Sequence, residues 1–213
     1  MVLDLDETLV HTFDMCGNSE YIYQQLANDP DPLIRSRIIR LKFMNNGKME
    51  DMWGILRPGT REFIDFLYSY CKVIVVWSAG QEGYVDDIVG HIFRDVLDPH
   101  ITFSYWSGGG MRHNDCKPLH NLYSHHPLIQ NVMSKNNTFI LDDRYENFKK
   151  NLGNGILIPP YEPAFFTTDI NVIRYNILND SDRRLDQLQD WLMRDDVICS
   201  SDVTLLDKNN IFY

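Results

Sequence analysis

Asp4 and Asp6 are the residues through which this chain could most readily do chemistry: two carboxylates spaced i, i+2, directly after Val2 and Leu3. In an extended backbone, side chains two residues apart project to the same side. Both carboxylates therefore face one small volume at the end of a strand. Like charges held that close destabilise each other unless a cation lies between them or one keeps its proton. A divalent metal and an acid–base role are the two chemical uses of such a pair. An acidic turn after a short strand is the plainer alternative, because Asp-x-Asp alone is a common pattern. Downstream, residues 73–78 form an apolar run that ends in the hydroxyl of Ser78. Lys117 follows Cys116, and residues 139–143 form a second apolar run, ending in Asp142 and Asp143. A hydroxyl donor, a cation and further carboxylates are the components of a phosphate-handling site.

These groups need elements that bring them together. Short apolar runs at 2–5, 72–77, 101–105, 137–141 and 155–158 read as strands. Helical spacing of apolar residues predicts a helix after Pro58, with Thr60 as its cap, another from about residue 81, and a third over 182–194. Strands alternating with helices predict an α/β fold of the Rossmann-like type, a mostly parallel sheet flanked by helices. Ligands of such sheets bind at the carboxyl ends of the strands, where Asp4, Ser78 and Asp142 all fall. Residues 38–44 and 48–56 read as a hairpin, since Asn46-Gly47 supplies the positive φ angles of a tight turn. Residues 13–36 are mixed, with a loop forced at 28–32. One domain over 1–213 is predicted, with an insertion at about 13–56 after the first motif.

The 213 residues carry a net charge of -10, with 44% apolar and 12% aromatic residues. That is ample core for one domain, and it argues against a general nucleic-acid or anionic-membrane binder. A local positive pocket stays open, with Arg57, Lys117 and Arg144 as its sources. Cys16, Cys71, Cys116 and Cys199 show no zinc spacing and suit a reducing compartment. No stretch is long enough for a membrane helix. The expectation is a soluble intracellular protein, nuclear or cytoplasmic, with idle thiols.

Taken in order, DLDETLVH at 4–11, LRPG at 56–59, VIVVWSAG at 73–80, CKPL at 116–119 and FILDDR at 139–144 resemble the haloacid dehalogenase (HAD) superfamily of phosphohydrolases. The nearest branch is the FCP/SCP-type, NLI-interacting-factor-like protein serine phosphatases that act on the carboxy-terminal tail of RNA polymerase II. The first motif of that branch reads DLDETLVH, and the resemblance runs from residue 2 to about 195.

The resemblance implies roles. Asp4 would be the nucleophile that forms an aspartyl-phosphate, and Asp6 the acid and base, its backbone carbonyl also a metal ligand. Thr8 would position the two carboxylates, although a turn threonine is the other reading. Ser78 and the backbone amide of Ala79 would bind phosphate. Lys117, on a short helix with Leu119 and Leu122, would neutralise phosphate charge and orient Asp4. Asp143 would ligate the metal directly, with Asp142 behind it or through water. An oxygen-only ligand set favours Mg2+. Tyr84 and Asp86 fit a Tyr-x-Asp pattern whose tyrosine helps shape a hydrophobic pocket in relatives; a core tyrosine fits equally. His11, His125 and His126 are read as incidental, and Gly108 to Gly110 as a mobile loop. The implied substrate is a phosphoprotein or phosphopeptide. A small-molecule phosphatase of the same superfamily and a catalytically inactive binding module of the same fold are the competing functions.

Overall fold

The computed structural model describes residues 1–93, 102–106, 116–123, 127–163, 165 and 167–212. The glycine run at 108–110 and His125 and His126 lie outside the described residues. A five-stranded parallel sheet runs in the order β6-β5-β1-β7-β8. Its strands are β1 (Val2–Leu3), β5 (Ile74–Ser78), β6 (Thr102–Trp106), β7 (Ile140–Asp142) and β8 (Gly155–Leu157). Period-two alternation sends successive side chains to opposite faces. Leu3, Ile74, Val76 and Leu141 enter one core, whereas Val2, Val75, Trp77 and Ile140 enter another. Both faces are covered, which is why β1, β5 and β7 are continuous apolar runs, up to the Ser78 and Asp142 that end β5 and β7, rather than alternating.

The first face packs against α3 (Thr60–Tyr70), α4 (Glu82–Ile92), α9 (Arg184–Leu192) and α10 (Asp195–Ile198). The second packs against α5 (Leu119–Tyr123), α6 (Pro127–Val132) and α7 (Tyr145–Phe148). The predicted α/β fold with a mostly parallel sheet is the fold observed.

The second sheet is antiparallel, in the order β2-β4-β3, from β2 (Val10–Asp14), β3 (Ile38–Asn45) and β4 (Lys48–Leu56). The predicted hairpin turn is present, with φ of 50° at Asn46 and 79° at Gly47. Ile39, Leu41 and Phe43 point into the main core. Trp53 and Ile55 point to a third cluster with Ile22 and Leu26 of α1 (Asn18–Ala27), Ile34 of α2 (Pro32–Arg37), and Ile173 and Ile177 of α8 (Ile170–Leu178). This small sheet is thus wedged between two cores, and its removal would open both.

Several elements differ from expectation. Residues 13–36 hold the end of β2 and two helices, α1 and α2; the predicted break survives as the turn between them, where Asp31 caps α2 by accepting from Leu33 N at 2.8 Å. Thr60 does not cap α3. Its hydroxyl donates to the carbonyls of Arg57 (2.8 Å) and Leu9 (3.2 Å), and Gly59, at φ 76°, holds the cap position. The strand expected at 137–141 starts later, because Lys135–Asn137 forms a 3-10 turn closed by the Asn137 side chain on Ser134 N.

Candidate active site

The site forms where β1 ends. Asp4 N still donates to Leu141 O at 3.0 Å, so the ladder with β7 runs one residue past the strand. The chain then turns sharply. Glu7 adopts φ 57°, and Leu9 N and Val10 N both donate to Leu5 O, at 2.8 and 3.2 Å. Leu3 pairs with Leu141, so Asp142 lies on the next rung, beside Asp4. Leu3 also pairs with Val76, so Ser78 ends the other neighbouring strand two rungs on. Parallel register alone therefore gathers the three strand-end motifs.

Lys117 joins two of them. Its buried ammonium donates to Asp4 Oδ1 at 2.5 Å and to Asp142 Oδ2 at 2.7 Å. It sits two residues ahead of α5 rather than on it. Lys117 N donates to Asn147 O (2.6 Å) and Asn151 Nδ2 to Lys117 O (3.0 Å), which fix this approach to the sheet. Asn147 Nδ2 and Arg144 N complete Asp142 by donating to its Oδ1 at 2.8 and 2.9 Å. Three donors thus hold Asp142, while Asp143 is half-buried beside it.

One carboxylate oxygen from each of Asp4, Asp142 and Asp143 lies within 4.8 Å of the others. Burial, together with the Asp142 and Asp6 charges, pushes Asp4 up to about 8 against the pull of Lys117. Burial and the Asp142 charge push Asp143 up to about 6. Burial alone would lower Lys117, but the Asp4 and Asp142 charges outweigh it and raise it. Three carboxylates against one ammonium leave the group short of positive charge. An all-oxygen donor set of this kind fits a hard divalent cation such as Mg2+.

The Asp6 carboxylate stands apart from that trio, so its side chain is not among the candidate ligands brought together. It accepts a hydrogen bond from Tyr84 at Oδ1, and Ser78 Oγ lies 3.4 Å from Oδ2. Burial raises its pKa, although the Tyr84 bond opposes the rise. Ser78 is itself aimed by Gly80 N, which donates to its Oγ at 2.9 Å, and Ala79 forms the exposed turn between them. Thr8, fully buried, donates to Asp4 Oδ2 at 3.4 Å, so it touches one carboxylate of the pair and not both.

Two expected cations are placed elsewhere. Arg57 is buried in the framework: it donates to Thr8 O (3.1 Å) and Pro159 O (2.8 Å) and pairs with Asp182 at 2.9 Å. Arg144 is exposed. Asp86 is exposed too, whereas its neighbour Asp87 accepts from Lys42 N at 2.6 Å and ties α4 to β3. His11 is engaged with Glu7 at 2.5 Å. Sequence reasoning missed Asn147, Asn151 and Thr12. The spacing of Asn147, five residues beyond Asp142, was the available signal for the first.

A family model described as NLI interacting factor-like phosphatase matches residues 1–203. The chain belongs to that family. Among solved structures, that of Fcp1, an essential RNA polymerase II CTD phosphatase, is similar at 17% identity with a TM-score of 0.56, over 98% of this chain and 57% of that one. The fission yeast RNA polymerase II CTD phosphatase Fcp1-R271A bound to beryllium fluoride is similar at 14% identity with a TM-score of 0.62, over 96% and 68%. These likenesses establish a shared fold, and this chain spans just over half the length of the first. No curated protein matches. Among the described residues no helix is long and apolar enough to cross a membrane.

Proposed function

We propose that this chain is a single intracellular domain, nuclear or cytoplasmic, that hydrolyses phosphoserine or phosphothreonine in an extended peptide through an aspartyl-phosphate on Asp4. The observation that carries the reading is the division of labour between two aspartates only two residues apart. Asp4 is bound to Lys117 beside Asp142 and Asp143, whereas Asp6 is held on Tyr84 and Ser78. A nucleophile needs its charge exposed to phosphorus and balanced by fixed cations; a general acid needs to keep a proton near neutrality. Asp4 has the cationic contact of the first task, and the charge of a bound divalent ion would favour its ionised form over the proton that burial holds there in metal-free protein. Asp6, raised by burial, has the surroundings of the second.

Asp143, with Asp4, the Asp6 backbone carbonyl and Asp142 directly or through water, would hold Mg2+. When bound, that ion supplies charge neutralisation for the incoming phosphoryl group. Lys117 orients Asp4 and adds positive charge, and Ser78 Oγ and the Ala79 amide donate to phosphoryl oxygens. Asp4 attacks phosphorus while Asp6 protonates the leaving serine oxygen. Asp6 then takes a proton from the water that hydrolyses the aspartyl-phosphate, so one hard step becomes two easier ones.

Aromatic residues support a peptide substrate. Phe13, on the strand leading out of the Asp4–Asp6 turn, stacks on Trp53 at 4.5 Å and on Phe165 at 5.4 Å. Phe13 and Phe165 are half-buried and offer flat surfaces on which an extended, proline-containing segment can lie. The polymerase tail is the substrate of this kind that we propose, although a net charge of -10 weakens long-range capture of a heavily phosphorylated chain.

The test is a panel of phosphoserine and phosphothreonine peptides alongside an aryl phosphate. The expected result is turnover of peptides that needs Mg2+ and stops with chelator. Millimolar Mg2+ should also raise the thermal midpoint of the wild type but not of Asp143→Asn. Turnover of the aryl phosphate and small phosphoesters alone would establish a small-molecule enzyme, and peptide binding without turnover a binding module.

A further inference from the structure

Among the described residues, the hydroxyl of Thr12 has no part in the chemistry above, yet it lies 3.1 Å from the Tyr84 oxygen. Tyr84 in turn bonds Asp6 Oδ1. The three groups come from three places in the fold: the strand β2, the helix α4 and the turn after β1. Counting protons gives the chain a direction. A phenol has one proton and donates it once. Tyr84 gives it to Asp6, and burial together with the Asp6 charge keeps the phenol from ionising. Thr12 must therefore donate to the Tyr84 oxygen, and the order is Thr12 to Tyr84 to Asp6.

The two oxygens of Asp6 consequently differ. Oδ1 holds the short Tyr84 bond, whereas Oδ2 accepts only from Ser78 Oγ at 3.4 Å, a donor that phosphoryl oxygens would draw away, so a proton on this carboxyl group resides on Oδ2. We infer that Thr12 and Tyr84 are positioning residues that orient Asp6 so that Oδ2 alone exchanges the catalytic proton, an inference that rests on the phosphatase reading. As Asp4 attacks, the bond from phosphorus to the substrate oxygen breaks with its electron pair on that oxygen, which takes the proton from Oδ2. The carboxylate left behind is stabilised at Oδ1 by the Tyr84 bond. Water then attacks phosphorus and returns a proton to Oδ2, releasing phosphate and restoring Asp4. A donor to Oδ1 is thus worth more after proton transfer than before it, the differential that lowers a barrier.

Two features keep Tyr84 in this position. A methyl group on Gly80 would stand 2.7 Å from Tyr84 Cδ1 and 3.2 Å from Ser78 Oγ, so the missing side chain at 80 makes room for the ring against Asp6. On its other side the ring meets Phe43 of the hairpin edge-on, with centroids 5.5 Å apart. The small antiparallel sheet thereby contributes both a donor and a packing surface to the acid.

The experiment measures kcat/KM for a series of aryl phosphates of rising leaving-group pKa and for a phosphoserine peptide. The proteins are wild type, Thr12→Val, Thr12→Ser, Tyr84→Phe, Asp6→Asn and the Tyr84→Phe/Asp6→Asn double variant, each with its thermal midpoint. Loss of a donor to a carboxylate predicts a fall of about ten- to hundredfold for Tyr84→Phe on phosphoserine, and of under about threefold on the most acidic phenol. Thr12→Val should follow the same slope at about two- to tenfold, and Thr12→Ser should return to wild-type behaviour. With Asp6→Asn already in place, Tyr84→Phe should cost under about twofold, because the two act as one unit. Equal losses at every leaving group in folded Tyr84→Phe, or full additivity with Asp6→Asn, overturn the inference while leaving the phosphatase standing. A wild type without turnover that depends on Asp4 overturns the phosphatase reading and this one with it.

Discussion

Replacing Asp4 with Asn is expected to lower turnover of every phosphomonoester to background, by at least about three orders of magnitude, because the proposed mechanism assigns attack on phosphorus to Asp4 alone. The fold should survive. Asn matches Asp in size, and Lys117 keeps its bond to Asp142. In metal-free protein the variant should even gain in relative stability as pH rises. Burial raises Asp4 from 3.8 to about 8, so the native state binds a proton there that the unfolded chain has released. Wild-type stability therefore falls with rising pH between those two values, and the substituted asparagine has no such proton to lose. Denaturant unfolding of both proteins at pH 5 and pH 8, with chelator, checks the sign: the difference should move in favour of Asp4→Asn at the higher pH. Retained turnover in the folded variant would remove Asp4 from the chemistry.

Lys117→Met carries the largest expected cost to stability. The ammonium is 1% exposed and faces two buried carboxylates. Removing one member of a buried ionic group leaves uncompensated charge, typically at a cost of about 3–5 kcal/mol. Methionine fills most of the volume, so cavity effects stay small. The loss should shrink with Mg2+, which supplies the missing positive charge. Activity should fall by at least about a hundredfold, since a fixed cation beside the developing charge is lost. A Lys117→Met protein with wild-type stability at neutral pH would contradict the buried pairing.

Where function and backbone agree, the sequence was readable. The runs ending in Asp4, Ser78 and Asp142 show strand and motif together, because parallel sheets bury continuous apolar stretches and present ligands at their ends. Asn46-Gly47 marked its turn because few other residues tolerate two positive φ angles. The helices α1 and α2 were not readable. Residues 18–27 bury only Ile22 and Leu26, too sparse an apolar stripe to announce a helix. Their stability comes from Trp53 and Ile55 on a strand far along the chain.

Tertiary partners also decided the cations. Arg57 and Lys117 look alike in sequence as basic residues beside a proline, yet one closes a framework with Asp182 while the other enters the site. Thr60 looked like a helix cap. A glycine at φ 76° before it and two carbonyls within reach of its hydroxyl gave it another task. The Tyr84–Asp6 contact joins residues 78 positions apart, a distance over which local pattern carries no information.

The most direct measurement is covalent trapping at Asp4. Asp6→Asn, mixed with Mg2+ and an aryl phosphate that needs no protonation to leave, should release one equivalent of phenol in a burst and then stall, because no base activates water for the second step. Acid quenching followed by borohydride reduction and tandem mass spectrometry should locate the acyl-phosphate at residue 4 and at no other position. A burst with the phosphoryl group on a different residue, or steady wild-type turnover with no burst and no label at Asp4 in the variant, would contradict nucleophilic attack by Asp4.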